Sequence, residues 1–141
     1  MKHHCRALIL HCMDFRFGSD LKNWLAEQDL MNNCDIVSLA GAAKNLVSPA
    51  ADADRALVLR QIEISKRLHH ISEVILMNHT DCGAYGGRAA FPDRDAENKK
   101  HAEDLHAARK IVEEKFPGLA VKVYIAQIEE PDGAIHFETA L

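Results

Sequence analysis

The 141-residue sequence has no apolar run that approaches the roughly 18–20 residues needed to cross a bilayer. Its first residues also lack the layout of a signal peptide, in which a charged start precedes a long apolar stretch and a small-residue cleavage site. Repeats, linkers and low-complexity tracts are missing as well. We therefore expect a single domain over residues 1–141, with no membrane association and a cytoplasmic location.

Excess positive charge is also missing. Asp and Glu number 21 against 17 Lys and Arg, which gives a net charge of −4, and the basic residues are scattered. Nucleic acid is therefore not an expected partner, because its binding needs a basic patch or stripe. Nucleotide binding is excluded too, since the glycines from Gly83 to Gly87 are not followed by the Lys-Ser/Thr ending of a phosphate-binding loop.

Cysteine is scarce, with four residues in the chain. In a cytoplasmic protein, a Cys/His cluster is typical of metal binding rather than of a disulfide framework. Cys12 and Cys82 each lie in a short motif after an apolar run. Cys5 and Cys34 have no motif partner, and we interpret them as small buried or surface thiols.

The sequence does contain short apolar runs of the kind that form buried strands. Such runs predict strands at 6–12, 35–40 and 72–78, because a strand of a parallel sheet is covered on both faces. An alternating pattern predicts a further strand at 121–128. A Pro-Asp-Gly turn then leads into a short last strand at 134–137.

Amphipathic segments between these runs predict helices. The first covers roughly 20–31, and the second runs to about residue 68, with Ser48 as its N-cap and Pro49 in its first turn. A long charged helix is predicted over 96–116. The alternation of strands and helices predicts an α/β fold, in which a mostly parallel central sheet of about four or five strands is flanked by helices.

Two motifs carry candidate metal ligands. The segment 12–16 reads Cys-Met-Asp-Phe-Arg and follows the first strand, while 79–83 reads His-Thr-Asp-Cys-Gly and follows the third. Ligand sites of open α/β sheets lie past the carboxyl ends of strands, so we expect Cys12, His79 and Cys82 to meet there. Two thiolates and one imidazole are the ligand set of a catalytic zinc site with an open fourth position. The sequence therefore predicts bound zinc.

The pairing of Cys-x-Asp-x-Arg with His-x-x-Cys-Gly, each after an apolar strand, resembles the β-class carbonic anhydrases. The resemblance is continuous over residues 6–87, and within it 35–42 looks like the family's middle strand and Asn-Ala-Gly-Asn loop. It returns at 121–137, which looks like the family's last strand and Asp-Gly turn.

This resemblance implies a β-carbonic-anhydrase-like domain that hydrates carbon dioxide to bicarbonate by zinc-bound hydroxide. Cys12, His79 and Cys82 would hold the zinc. The resemblance also implies that Asp14, paired with Arg16, orients the zinc-bound water, or takes the fourth zinc position and switches the site off at lower pH.

The resemblance implies a homodimer or larger homo-oligomer, since the β-class enzymes are built from dimers with sites near the subunit interface. The small molecule carbon dioxide is the expected substrate. We expect backbone amides around Ala40, Gly41 and Ala42, together with Gly83 of the second motif, to position it, because glycine permits close approach.

Several features depart from the family pattern, among them a short segment between Cys82 and the last strand. Phe15 stands where the family usually has a small residue, and Leu39-Ala40-Gly41-Ala42 replaces the Asn-Ala-Gly-Asn loop. Only 11 residues precede Cys12, whereas the family has N-terminal helices that wrap a partner subunit. Two alternatives therefore stay open: a zinc hydrolase of carbonyl sulfide or carbon disulfide, and a non-catalytic zinc-binding domain on the same fold.

The remaining histidines have structural interpretations. His69 lies at a helix end, where a cation near the last carbonyls is favourable. His101 and His106 are on the long charged helix, and we interpret both as solvated surface. Proton shuttling is the alternative for these two residues, because histidine titrates near neutral pH. His3 and His4 form an N-terminal pair with no evident partner.

Overall fold

A computed structural model describes residues 3–140, which form an α/β fold on a five-stranded sheet. The strands are β1 (Ala7–His11), β2 (Cys34–Ser38), β3 (Glu73–His79), β4 (Ala120–Ile128) and β5 (Ile135–Thr139). In space they follow the order β2-β1-β3-β4-β5, with β1 to β4 parallel and β5 antiparallel to β4. The predicted mostly parallel sheet is confirmed, and every predicted strand end lies within two residues of an observed one.

Helices cover both faces of the sheet. They are α1 (Gly18–Glu27), α2 (Lys44–Val47), α3 (Asp52–His69) and α4 (Arg94–Lys115). Apolar residues of α2, α3 and α4 pack in one buried cluster with Leu8 and Leu10 of β1. Those of α1 pack in a second cluster with Ala7 and Ile9. The side chains of β1 therefore alternate between two buried layers, which explains why this strand is an unbroken apolar run.

The second predicted helix starts later than its sequence indicates. α3 begins at Asp52, so the assignment of Ser48 as its N-cap is wrong. The Ser48 N–H instead donates to the Lys44 carbonyl oxygen at 2.9 Å and closes the single turn of α2. The chain then extends through Ala51, whose N–H donates to the Asp54 carboxylate at 3.3 Å at the start of α3.

The first helix ends earlier than predicted. α1 stops at Glu27, and Asp29 takes up a left-handed conformation with φ 58°. The Leu30 N–H then donates to the Leu25 carbonyl oxygen at 2.8 Å, and the Leu30 side chain is buried. A left-handed residue followed by a buried apolar side chain is a common way to end a helix.

The long charged helix lies close to its predicted position. α4 has 22 residues, and Asp93 caps it by accepting a hydrogen bond from the Ala96 N–H at 2.8 Å. Across residues 3–140, we find no helix that combines the length and the apolar character needed to span a membrane.

Candidate metal centre

β1 and β3 are adjacent parallel strands, so their carboxyl ends lie next to each other at the same end of the sheet. His11 of β1 pairs with Met77, so β3 continues two residues further and ends at His79. Cys12 follows β1 directly, and the turn after β3 brings Cys82 back to the same point. The topology therefore places the predicted ligands together.

The donor atoms of Cys12, His79 and Cys82 form a tight buried cluster, all within 4.8 Å of one another. The two sulfur atoms are 4.0 Å apart. Two thiolates bound at about 2.3 Å to one tetrahedral ion would be about 3.8 Å apart, so the separation fits a shared zinc ion. A disulfide bond, with sulfurs at about 2.05 Å, does not fit.

The ring of His79 is oriented by the backbone. Its Nδ1 atom lies 2.7 Å from the Thr80 carbonyl oxygen, so Nδ1 carries the hydrogen and donates it. Nε2 is buried and meets no hydrogen-bond partner within residues 3–140. Such an orphaned nitrogen is rare in a protein interior, whereas a metal-ligating histidine with its other nitrogen bonded to a carbonyl is common.

The two thiols ionise unequally. A hydrogen bond from the Cys82 thiol, helped by the neighbouring His79 side chain and by the Gly41 N–H at 3.5 Å, lowers the pKa of Cys12 well below its usual range. The same contact between the sulfurs, together with burial, raises the pKa of Cys82 far above its usual range. Ionisation of both sulfurs therefore requires a cation beside them, which a bound metal ion provides.

Asp14 and Arg16 form a bidentate pair beside this cluster. Arg16 Nε donates to Asp14 Oδ1 at 3.0 Å, and Arg16 Nη2 donates to Oδ2 at 2.9 Å. These bonds lower the pKa of Asp14 and raise that of Arg16. Asp14 Oδ2 lies 3.9 Å from His79 Nε2, so the carboxylate borders the donor atoms while Arg16 holds it.

Arg16 is itself fixed by Asp81, a residue for which the sequence indicated no role. Arg16 donates to the Asp81 carboxylate at 2.9 Å and to its carbonyl oxygen at 2.8 Å. The Arg88 N–H donates to the same carboxylate at 2.8 Å, and this bond, with those from Arg16, lowers the pKa of Asp81. The buried Glu97 accepts the Asp81 N–H at 2.7 Å. Asp81 therefore links the segment 12–16 to the segment 79–83 through its hydrogen bonds with Arg16.

The loop after β2 supports Cys12 through Gly41. Gly41 has φ 80°, in the left-handed region, and a Cβ there would lie 2.9 Å from the Cβ of Ala84. Both the conformation and the close approach require glycine at this position. Its N–H can then point at the Cys12 sulfur.

The other residues predicted to position a substrate are partly engaged within the chain. Ala42 is fully buried, and its N–H donates to the Leu39 carbonyl oxygen at 3.0 Å. The Ala40 carbonyl oxygen accepts from the Asn45 side chain at 2.9 Å. Gly83 is exposed at the start of the turn after Cys82. A substrate-positioning role for Ala40, Gly41, Ala42 and Gly83 stays a prediction.

A buried polar cluster lies next to the centre, between β3 and α4. The Asn78 side chain donates to the Tyr85 hydroxyl at 3.0 Å, and that hydroxyl donates to Asp104 at 2.8 Å. His101 is fully buried, 3.1 Å from the Asn78 amide nitrogen, so its interpretation as solvated surface is wrong. It lies one turn before Leu105 on the buried face of α4.

Comparisons with known proteins identify the family to which this chain belongs. A family model described as "Putative carbonic anhydrase" matches residues 2–132. An uncharacterized protein of Rickettsia bellii (strain RML369-C) is 33% identical over 125 residues, which cover 86% of this chain and 76% of that protein. An uncharacterized protein of Rickettsia conorii (strain ATCC VR-613 / Malish 7) is 31% identical over 125 residues, covering 86% of this chain and 67% of that protein.

Proposed function

Because this chain belongs to the putative carbonic anhydrase family, we propose that it is a β-class carbonic anhydrase, a zinc lyase that interconverts carbon dioxide and bicarbonate. The observation that carries the proposal is the buried cluster of Cys12, His79 and Cys82, with its unpartnered His79 nitrogen. Two thiolates balance the charge of a divalent zinc ion, and three protein ligands leave one coordination position open, as a catalytic site requires.

Zinc in this site would lower the pKa of a coordinated water toward neutrality and so supply a nucleophile at physiological pH. Asp14 orients the attacking water by accepting a hydrogen bond from it, because Arg16 keeps the carboxylate ionised at the border of the donor cluster. In this role Asp14 would direct a lone pair of the water toward the substrate carbon. Addition of water to carbon dioxide gives bicarbonate and one proton, which passes to the solvent.

A second copy of the chain is the partner that we propose. Met13 and Phe15 flank Asp14 in the sequence and are 67% and 90% exposed. Large apolar side chains exposed beside a functional site are typical of an interaction surface. In the β-class enzymes that the chain resembles, the site lies near a subunit interface, so we propose a homodimer in which the partner covers these side chains.

The test measures zinc content and carbon dioxide hydration on one purified sample, at about pH 7 and about pH 8.5. We expect one zinc equivalent per chain to be bound at this centre and to be lost in Cys12→Ser. We also expect fast hydration that rises with pH and that the same substitution abolishes. Cys34→Ser is the matched control, because it removes a thiol that is not in the donor cluster and should leave hydration unchanged.

Two results would contradict the proposal. Zinc bound at Cys12 without hydration at either pH would exclude a carbonic anhydrase, and assays with carbonyl sulfide and carbon disulfide would then separate a hydrolase from a non-catalytic zinc domain. A folded protein that binds no zinc at this site would exclude all three.

A further inference from the structure

We propose that a second metal site, formed by Cys5, Asp35 and His69, lies at the amino-terminal end of the parallel strands, opposite the first centre. It would bind a divalent transition ion such as Zn²⁺. One donor atom from each residue lies within 4.8 Å of the others. The proposal does not depend on the function proposed above, because it involves none of the residues of the first centre.

Three segments of the chain bring these residues together. Cys5 lies two residues before β1, Asp35 is the second residue of β2, and His69 ends α3. The Cys5 N–H donates to the His69 carbonyl oxygen at 3.0 Å, and β1 pairs with β2 from Ala7 and Cys34 onward. These donors therefore lie together at the amino-terminal ends of the parallel strands, whereas those of the first centre lie together at the carboxyl-terminal ends.

The two centres are too far apart to share an ion. Cys12 lies seven positions after Cys5, and β1 fills most of that interval, so at about 3.3 Å per residue the two lie up to about 23 Å apart. Metal–ligand bonds are only about 2.0–2.3 Å long, so each centre needs its own ion.

Hydrogen bonds already hold the carboxylate and the imidazole in place. His69 Nδ1 lies 2.7 Å from Asp35 Oδ2, and the hydroxyl of the buried Ser65 donates to the same oxygen. An ion between His69 and Asp35 would replace the hydrogen that they share. Nitrogen and oxygen ligands at about 2.05 Å from a tetrahedral ion are about 3.3 Å apart, so the pair has to open by only about 0.6 Å. Ser65 keeps the carboxylate oriented, as supporting hydrogen bonds do around metal ligands.

The donor chemistry selects the kind of ion. Thiolate, imidazole and carboxylate are all zinc ligands, and their summed charge of about −2 neutralises a divalent cation. A sulfur donor disfavours Mg²⁺ and Ca²⁺, which prefer oxygen. His3 packs edge-on against the His69 ring, with the ring centroids 5.0 Å apart. Cys34 and His3 both line the surface pocket that contains Cys5, Asp35 and His69. Further donors are therefore at hand to complete the coordination.

The test counts zinc equivalents bound by the full chain after dialysis against buffered zinc. We expect two equivalents for the wild type and one for Cys5→Ser, for His69→Ala and for Cys12→Ser. The double variant Cys5→Ser/Cys12→Ser should bind none. His106→Ala removes an exposed imidazole from α4 and should still bind two. Circular dichroism and thermal melting establish that each variant is folded, and Cys5→Ser and His69→Ala probe the site independently.

Carbon dioxide hydration separates this proposal from the first one. Cys5→Ser and His69→Ala should lose an equivalent of zinc but keep the hydration rate, because the first centre is untouched. A wild type that binds a single equivalent, lost in Cys12→Ser and kept in Cys5→Ser and His69→Ala, would overturn the second site. A second equivalent that survives both Cys5→Ser and His69→Ala would overturn it equally.

Discussion

The proposed role of Asp14 at the candidate metal centre is to accept a hydrogen bond from the attacking water through its carboxylate. Asn has the same shape, but its amide lacks the negative charge and presents hydrogens on one side. We therefore expect Asp14→Asn to lower kcat/KM for carbon dioxide hydration at least about tenfold, which corresponds to about 1.4 kcal/mol of transition-state stabilisation. Zinc content should not change. Asp95→Asn, at an exposed acid in the first turn of α4, should alter neither quantity. An unchanged rate in zinc-loaded Asp14→Asn would remove Asp14 from the mechanism.

His101 links stability to pH through its burial. Desolvation lowers the pKa of its ring to about 4, against about 6.5 for an exposed histidine. The folded protein therefore holds the neutral ring, and the unfolded chain takes up the proton first as the pH falls. Stability from this residue is complete above about pH 6.5 and is lost toward pH 4, by up to about 3 kcal/mol.

His101→Gln tests this dependence, because glutamine cannot titrate. We expect the variant's free energy of unfolding, measured in urea at about pH 7, 5.5 and 4.5, to fall less with acid than that of the wild type. His106→Gln removes an exposed histidine from the same helix and should follow the wild type. Parallel curves for His101→Gln and the wild type would show that other groups cause the acid sensitivity.

The sequence could predict which residues form the donor cluster, but not the residues that hold them in place. Cys12, His79 and Cys82 follow apolar runs, so the end of each strand locates its motif. Glu97 and His101 lie among charged residues of α4 and are both buried. An assignment by hydrophobic periodicity places polar side chains on the exposed face of a helix, so it cannot predict their burial. Their burial depends on partners in β3 and its turn, Asn78 and Asp81, which no local pattern connects to a helix about 20 residues away.

At the scale of secondary-structure elements, the loop after β2 makes a separate prediction at Gly41. Gly41→Ala combines an unfavourable left-handed φ of 80° with a Cβ placed 2.9 Å from that of Ala84. We expect a loss of unfolding free energy beyond the roughly 1–2 kcal/mol that the left-handed conformation alone costs. Zinc affinity, measured by chelator competition, should also fall, because the N–H that points at Cys12 is displaced.

Gly133→Ala is the matched control for this loop. Gly133 has φ 73°, but a Cβ there meets nothing within 4 Å, so only the conformational cost remains. The variant should keep the zinc affinity of the wild type. Equal losses of stability in the two variants would mean that the contact with Ala84 relaxes freely.

The start of α3 shows why local rules misplaced one element. Ser48-Pro49 has the composition of a helix start. The carbonyl oxygens of Leu46 and Val47 at the end of α2 instead accept from the Arg55 guanidinium at 2.6 and 3.2 Å. This side chain of α3 closes the preceding turn, so the segment at 48–51 becomes the connection between two helices. A contact across a turn decides the boundary, and residue propensities do not contain it.

At the scale of the whole molecule, the sequence predicts a parallel sheet but not the order of its strands. Alternating strands and helices indicate parallel pairing, whereas the spatial order depends on which crossovers pack together. In the observed order β1 lies between β2 and β3, so the residues that flank β1 lie close to those that flank its two neighbours. The sequence argument used only the carboxyl ends of the strands. Cys5, Asp35 and His69 lie at the amino-terminal end of the sheet, where that rule makes no prediction, so the sequence argument did not bring them together.

We also expect the hydration rate at the candidate metal centre to depend on assembly of the chain into a dimer. Phe15 is 90% exposed on a turn that also carries Asp14 and Arg16, so burial of its ring by a second copy would order the site. In sedimentation velocity over a dilution series, the wild type should be a dimer, and Phe15→Ser should raise the dimer dissociation constant at least about tenfold. Its hydration rate should fall with dilution in parallel. Leu57→Ser, at a 38% exposed apolar residue of α3, should leave the dissociation constant unchanged. Equal dissociation constants for the two variants, or a wild type that stays monomeric at every concentration, would mean that the exposed ring serves another purpose.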